Sequence, residues 1–446
     1  MILYAIIAFR KLNFALAFLI FCLPTYLIRF KIGFVPMTLL EGMILVLFVV
    51  WLIMKYRKGE TATFSNYKIF ILLLLVCASV SIYFAGDRMS ALGIWKAYFI
   101  EPILFFIVFI NTVRDKKAFA LIIDSLAESA LLVAVPAVVQ KFIAIGITNP
   151  FWAAEATRRV VSWYGYPNAV GLFLAPIAVL LFGIIIFRWN ELKIQALRDW
   201  RTNFYSVTVT LSVLAIVWAH SEGAIVGMAA GLILLGVIMP FRKIKIITVV
   251  GVVAIVGLIA FTPMLRTVFI EKVTLMDRSG QIRQAMWGDT WRMLRDGRII
   301  AGAGLDNYQE AVKPYYQRGI FFNNGDPDFQ RLVVFNEEYR KQVWQPYEIY
   351  MYPHNMVLNF WSEIGLFGLL AIVFLIMRFY FNYLRVDKMQ NRYYYRILLS
   401  VMAVVIVHGL VDVPYFKNDL SVLWWTLFGL SVLLLKRDNI IDEIYV

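Results

Sequence analysis

The sequence has only two cysteines in 446 residues, Cys22 and Cys77, and both lie inside apolar runs. They read as buried thiols, and a disulfide-stapled scaffold is excluded. Glycine, at 26 residues, is too scarce for a collagen-like repeat. Charge is scarce as well. Asp, Glu, Lys and Arg make up 16% of the chain, against about 25% in ordinary soluble domains. Too little polar surface remains to cover a water-soluble fold, and a disordered chain fails on the same composition. Histidine is limited to His220, His354 and His408. These fall on different predicted spans without metal-ligand spacing, so no metal site is expected. A Gly-rich phosphate loop and a Gly-x-Ser-x-Gly nucleophile are both missing, and no cofactor is expected. Asp326-Pro327-Asp328, an acidic pair of Asp-x-Asp type, reads as a turn. Low-complexity tracts and clear internal repeats are absent.

What is present is apolar length. Hydrophobic residues make up 61% of the chain and the mean hydropathy is +0.73. A helical span needs roughly 20 mostly apolar residues. Runs of that kind are centred on 12–28, 36–54, 69–86, 97–112, 119–145, 167–187, 204–220, 222–240, 246–262, 355–377, 397–412 and 420–435. The expectation is an all-α polytopic membrane protein of about twelve transmembrane helices with one long extracytoplasmic loop. A β-barrel is excluded, because its strands alternate over about ten residues. The first run has no small-residue cleavage site after it and is expected to be a retained span.

Lys and Arg set the expected orientation. With the N-terminus cytoplasmic, the inner segments hold 23 basic residues and the short outer segments 8. The long segment 263–353 is largely exempt from this rule. Both termini are expected inside and 263–353 outside, as a periplasmic or extracellular loop of a multi-pass plasma (inner) membrane protein. The net charge of +14 is then a topology signal that draws the inner face to anionic lipid of the bilayer, and no nucleic acid partner is expected. The chain divides into a membrane bundle of about nine spans (1–262), a partly helical loop (263–353) and a bundle of about three spans (354–446), integrated as one domain.

The loop carries 12 basic and 11 acidic residues, so it is balanced. Its aromatics, Tyr308, Tyr347, Tyr350 and Tyr352 among them, suit either sugar stacking or packing at the membrane interface. Residues 280–296 read as a helix ended by the turn Ala301-Gly302-Ala303-Gly304.

Ionisable groups in or near spans are site candidates by default. They are Arg158, Arg159, His220, Glu222, Arg283, His354, Glu363, His408 and Asp412. On the expected topology all except Glu363 gather at the outer surface. Pro353 suits the start of the tenth span and Asn355 its cap. Asn355, Asn359, Ser362 and Glu363 share one helical stripe. His354 and Glu363 are about 180° apart around that helix and are not expected to pair. His408 and Asp412 are spaced i, i+4.

Arginines, a histidine and aromatics at an outer site suit a lipid-linked diphosphate. The guanidinium fork binds phosphate oxygens and offsets the charge of the leaving group. An imidazole of ordinary pKa near 6.5 can take a proton from a sugar hydroxyl, which makes His354 the candidate base.

These residues resemble a family. His354-Asn355-x-x-Leu358, followed by Glu363-x-Gly365-x-x-Gly368-Leu369, is similar to the pattern of the O-antigen ligase and O-antigen polymerase superfamily. So are Arg283-x-x-x-Trp287 with Gly302-Ala303-Gly304-Leu305-Asp306-Asn307-Tyr308, Arg159 ahead of Pro167-Asn168, and His408-x-x-x-Asp412. The resemblance spans roughly 155–415. It implies a GT-C-like membrane glycosyltransferase that moves a glycan from an undecaprenyl-diphosphate carrier to an acceptor sugar hydroxyl. The step is expected on the outer face of the membrane, without a metal and with inversion. The acceptor is a glycan or glycolipid, lipid A core if the source is Gram-negative.

By this resemblance His354, Arg283 and Asp412 are the catalytic set. Arg158, Arg159, Arg278, Asn355, Glu222, Glu363 and His408 line the diphosphate and substrate site. One departure stands out. Ser221-Glu222-Gly223 replaces the family's Ser-Arg-Gly, so Arg158, Arg159 or a loop arginine has to stand in. A repeat-unit polymerase differs only in its acceptor. A transporter, the alternative of another class, would place its polar groups near the midplane.

Overall fold

The computed structural model describes residues 1–33, 35–323, 325–387 and 389–436. Lys388 and Arg437, two of the inner basic residues, lie outside the described residues. A helix stands at each of the twelve predicted runs. In chain order the longer helices are α1 (Ile2–Arg10), α2 (Leu12–Phe21), α3 (Leu39–Lys58), α4 (Lys68–Phe84), α5 (Arg88–Thr112), α6 (Lys116–Ile143), α7 (Pro167–Leu192) and α8 (Trp200–Trp218). There follow α9 (Glu222–Ile238), α10 (Arg242–Phe261), α11 (Pro263–Val273), α12 (Arg278–Arg295), α13 (Met356–Asn382), α14 (Met389–Gly409) and α15 (Asn418–Lys436). Among the described residues seven helices are long and apolar enough to cross a membrane, namely α3, α5, α6, α7, α10, α13 and α15. The helices α2, α4 and α9 are apolar but shorter.

Local chemistry sets the ends. Thr38 and Glu41 form a capping box on α3, with Thr38 Oγ1 accepting from the Glu41 amide and Glu41 Oε2 from the Thr38 amide, 3.2 and 3.1 Å. Asp115, Asp199, Asp277 and Asn355 cap α6, α8, α12 and α13. The run 12–28 differs from expectation. α2 stops at Phe21 and a 3₁₀ turn, Leu23–Leu27, follows with Pro24 in its first turn. Proline removes the amide that a continuing α-helix needs. Two short antiparallel ribbons complete the fold: β1 (Arg29–Ile32) with β2 (Val35–Thr38), and β3 (Gly319–Phe321) with β4 (Trp344–Pro346).

The core is formed by α7 and α15, whose apolar windows are 83% and 94% buried. α9 and α14 pack along each other and along α7. α10 buries none of its apolar window within the chain, which is the behaviour of a helix solvated by lipid.

α13 is broken near its middle. Gly365 has φ 72° and ψ 179°, a conformation for glycine alone. The groups freed by the break are taken up by the turn after α12. The Leu366 amide donates to the Ile300 carbonyl at 3.0 Å and the Ala303 amide to the Ser362 carbonyl at 2.6 Å. Gly302 lies so close to α13 that a Cβ there would sit 2.5 Å from the Ser362 carbonyl oxygen. The glycine pattern shared by the loop and the tenth predicted span is therefore a backbone joint between α12 and α13.

Candidate functional site

The joint fixes where His354 goes. α12 carries Trp287, whose Nε1 donates to the Pro353 carbonyl at 2.9 Å. Asn355 caps α13 through Oδ1, which accepts from the Leu358 amide at 3.0 Å, and its Nδ2 donates to the Leu410 carbonyl at 2.9 Å. Pro353 stands outside the helix and does not start it, contrary to expectation. His354 is held between these anchors at φ 46°, a left-handed conformation uncommon for a side-chain-bearing residue. Tyr350 and Tyr352 meet its ring edge-on, at 5.1 and 6.0 Å.

One cavity of about 530 Å³ collects most of the predicted residues. Arg158, Arg159, His220, Glu222, Arg283, His408 and Asp412 line it, together with Lys141, Asn168 and Lys272. A polar line crosses this end of the bundle. Arg159 Nη2 donates to Asn168 Oδ1 at 3.3 Å, Asn168 Nδ2 donates to Asp412 Oδ2 at 3.2 Å, and His354 Nδ1 lies 3.4 Å from Asp412 Oδ1. Arg159 is braced by the carbonyls of Ala219 and His220. Burial lowers its pKa, offset in part by Glu222. Burial, then Arg159 and Lys141, lower that of His220, with Glu222 acting the other way. Arg158 is spent on the end of α6, donating to the carbonyls of Lys141 and Phe142 at 3.0 and 3.2 Å. Those are carbonyls left open at a helix terminus. Arg283 Nη1 donates to Ser279 Oγ at 3.0 Å.

The expected i, i+4 register of His408 and Asp412 does not form, because α14 ends at Gly409. Asp412 turns back in the loop instead and meets His354. His408 packs on Gly223, where a Cβ would lie 2.8 Å from its ring. Glu222 is ion-paired with Lys272 at 2.7 Å, and Lys272 with Asp277 at 2.8 Å. A glutamate in place of the expected arginine thus draws a lysine of α11 into the cavity wall. Lys272 was not expected in the site. Its sequence neighbourhood carries no motif, and only the fold brings it 50 residues back to Glu222.

Four predicted residues, His354, Asn355, Arg278 and Glu363, are not part of the lining, and His354 reaches it only through Asp412. Arg278 is exposed at the start of α12 and does not line the cavity. Glu363 is buried in α13, where Oε2 accepts from the Asp306 amide at 2.8 Å, and it lines a second cavity of about 860 Å³. Asn355 acts as a cap beside the first cavity. Among the described residues no three His, Cys, Asp or Glu side chains converge as a metal-binding group.

The cavity thus sets five cationic side chains, from Lys141, Arg158, Arg159, Lys272 and Arg283, against two carboxylates, Glu222 and Asp412. That balance favours a multiply charged anion. Residues 207–373 match the family model described as O-antigen ligase. Over that segment, somewhat more than a third of its length, the chain is similar to the O-antigen ligase family. No curated protein matches it. The O-antigen ligase match supplies Glu222, Lys272, Arg283, His354 and Glu363. Arg158, Arg159, Asn168, His408 and Asp412 come from outside it, so the cavity is completed by helices flanking the matched segment. The match supports a membrane protein of O-antigen ligase or polymerase type glycan processing.

Asp412 is buried, which raises a carboxyl pKa. His354, His408 and the Val413 amide outweigh that burial and hold Asp412 below the usual carboxylate range. A carboxyl depressed in the fold stabilises it above the unfolded value, about pH 4, and that stabilisation is lost as pH falls through the folded value. The melting-temperature gap between wild type and Asp412→Asn is expected to be full above about pH 5 and to narrow progressively as pH falls below about 4. A gap independent of pH would show that the charge of Asp412 is not what secures His354.

Proposed function

We propose that the chain moves a glycan from an undecaprenyl-diphosphate carrier to an acceptor sugar hydroxyl on the outer face of the plasma membrane, as an O-antigen ligase-type hexosyltransferase. The observation that carries this reading is the contact of His354 with Asp412 at the edge of a strongly cationic cavity. Asp412, 3.4 Å from Nδ1, favours the tautomer that carries its proton there, and in that tautomer the lone pair of His354 Nε2 acts as the base. The acceptor oxygen loses its proton to Nε2 and attacks the anomeric carbon from the face opposite the diphosphate. The bond from that carbon to the diphosphate oxygen breaks, its electron pair leaves with the carrier, and the configuration inverts.

Arg159, Arg283 and Lys272 offset the charge that grows on the diphosphate, a role that does not call for a metal. Lys272 takes the place of the arginine that Glu222 displaces. The acceptor is a glycan or glycolipid, lipid A core if the source is Gram-negative. A GT-C-like arrangement of twelve spans, with cytoplasmic termini and 263–353 outside, fits this chemistry. So does the division into 1–262, 263–353 and 354–446.

The test is transfer by the purified chain in nanodiscs from an undecaprenyl-diphosphate-linked glycan. Product with an inverted linkage is expected, and its absence across acceptor classes refutes the reading. Arg283→Gln is expected to raise the KM for the donor roughly 10- to 100-fold, the value of a hydrogen bond to a charged group. An unchanged KM removes Arg283 from the diphosphate site. A tag inserted behind residue 263 should be reached by a membrane-impermeant reagent on intact cells, and protection of that tag overturns the orientation.

A further inference from the structure

The second cavity is built against an amine with no polar partner. Lys417 closes the loop between α14 and α15 and is 9% exposed. Its Nζ has no hydrogen-bond partner among the described residues. It rests on the faces of Tyr166 and Tyr164, 4.0 and 5.4 Å from their ring centres. A ring face returns only part of what an ammonium loses on leaving water. Burial pushes its pKa down to about 8, with Asp419 and Asp412 acting the other way, so it is still mainly charged at neutral pH.

The nearby carboxylates are already engaged. Asp419 accepts from the Tyr164 hydroxyl at 3.2 Å and Asp412 from Asn168. Glu41 accepts from Lys96 at 2.8 Å and from Asn418 at 2.7 Å. Glu363 holds the Asp306 amide, and Asp306 accepts from the Ser90 hydroxyl. At the rim stand Arg29 and Lys31, both exposed on β1. The cavity lining thus sets Arg29, Lys31, Lys96 and Lys417 against Glu41, Asp306 and Glu363, whose carboxylates already accept hydrogen bonds or ion pairs, and its aromatic walls include Tyr26, Tyr98 and Tyr352.

Its position is as informative as its charge. Two short stretches contribute to both sites. Tyr352 lines the second cavity while His354 reaches Asp412 of the first. Tyr166 lines the second and Asn168 the first. The base proposed above lies between Tyr352 of the second cavity, whose ring it meets edge-on, and Asp412 of the first.

We propose that the second cavity receives the acceptor and binds an anionic group of its saccharide, phosphate or carboxylate, through Lys417. The word acceptor rests on the transferase reading; the anion site does not. The probes are glucuronate and glucose 6-phosphate, with glucose as the neutral control, titrated onto the full chain in phosphatidylcholine nanodiscs. Lys417→Met is expected to weaken both anionic sugars tenfold or more, while Lys417→Arg and Arg283→Gln bind them as wild type does and glucose binds none of the four appreciably. Met keeps the length of the side chain and removes a buried, unpartnered charge, so the variant is expected to fold. Should it not, loss of binding in a Lys417→Gln variant with wild-type melting temperature serves the same purpose.

Three outcomes overturn the proposal: no binding of either anionic sugar, affinity lost with Arg283 and kept without Lys417, or displacement of both sugars by phosphatidylglycerol nanodiscs, which would make a lipid headgroup the occupant. His354→Asn should bind the sugars normally while failing to transfer, so failure of the chemistry and failure of this site read out separately.

Discussion

Replacing His354 with asparagine is expected to lower glycan transfer by about 10²- to 10⁴-fold, the usual contribution of a positioned general base. Asparagine tolerates the left-handed backbone that this position adopts at φ 46°, so chain accumulation and donor KM should stay near wild type while kcat falls. His354→Ala adds backbone strain and should show the same loss of transfer with a lower melting temperature. Retention of more than a tenth of the wild-type kcat in His354→Asn would remove the imidazole from the chemistry. The reason to expect a large effect is geometric. Trp287 and Asn355 hold the chain on either side of His354, and Asp412 meets one ring nitrogen, which leaves the other for the acceptor.

The second large effect concerns folding. Gly365→Ala places a Cβ against the Ile300 carbonyl oxygen in a backbone conformation that other residues do not adopt. Strain alone is of the order of 1–3 kcal/mol, and the Ile300 and Ser362 hydrogen bonds of the joint are put at risk besides. The expected total is about 3 kcal/mol or more, read as a fall in detergent-solubilised melting temperature and in membrane accumulation. Gly257→Ala in α10 is the control, because nothing lies within 4 Å of its Cβ position. It should be neutral or slightly stabilising. Equal behaviour of the two variants would show that the break in α13 is not a structural joint.

Much of the plan was legible without coordinates. Apolar run length is a local property, and each of the twelve runs holds a helix. The capping residues were legible for the same reason, as Asn355 shows. Ends were less so. Pro24 stops α2 well inside the run 12–28, and Gly409 ends α14 before Asp412, so a helical spacing written on the sequence did not exist in space. Glu363 shared a polar stripe with Asn355, yet its carboxylate serves the Asp306 amide beside a different cavity. Its residue type was informative about burial and silent about partner.

By itself the sequence determined that the chain is a helical membrane protein, and it singled out ionisable residues near predicted span ends as site candidates. That follows from hydropathy and from helical spacing, both of which act over a few neighbouring residues. Only the tertiary structure decided that Asp412 serves His354, that Glu222 recruits Lys272, and that Lys417 faces a separate chamber. Those pairings join positions tens to hundreds of residues apart. They depend on how helices pack and where each one breaks, and a charge sign or a motif spacing carries no record of either.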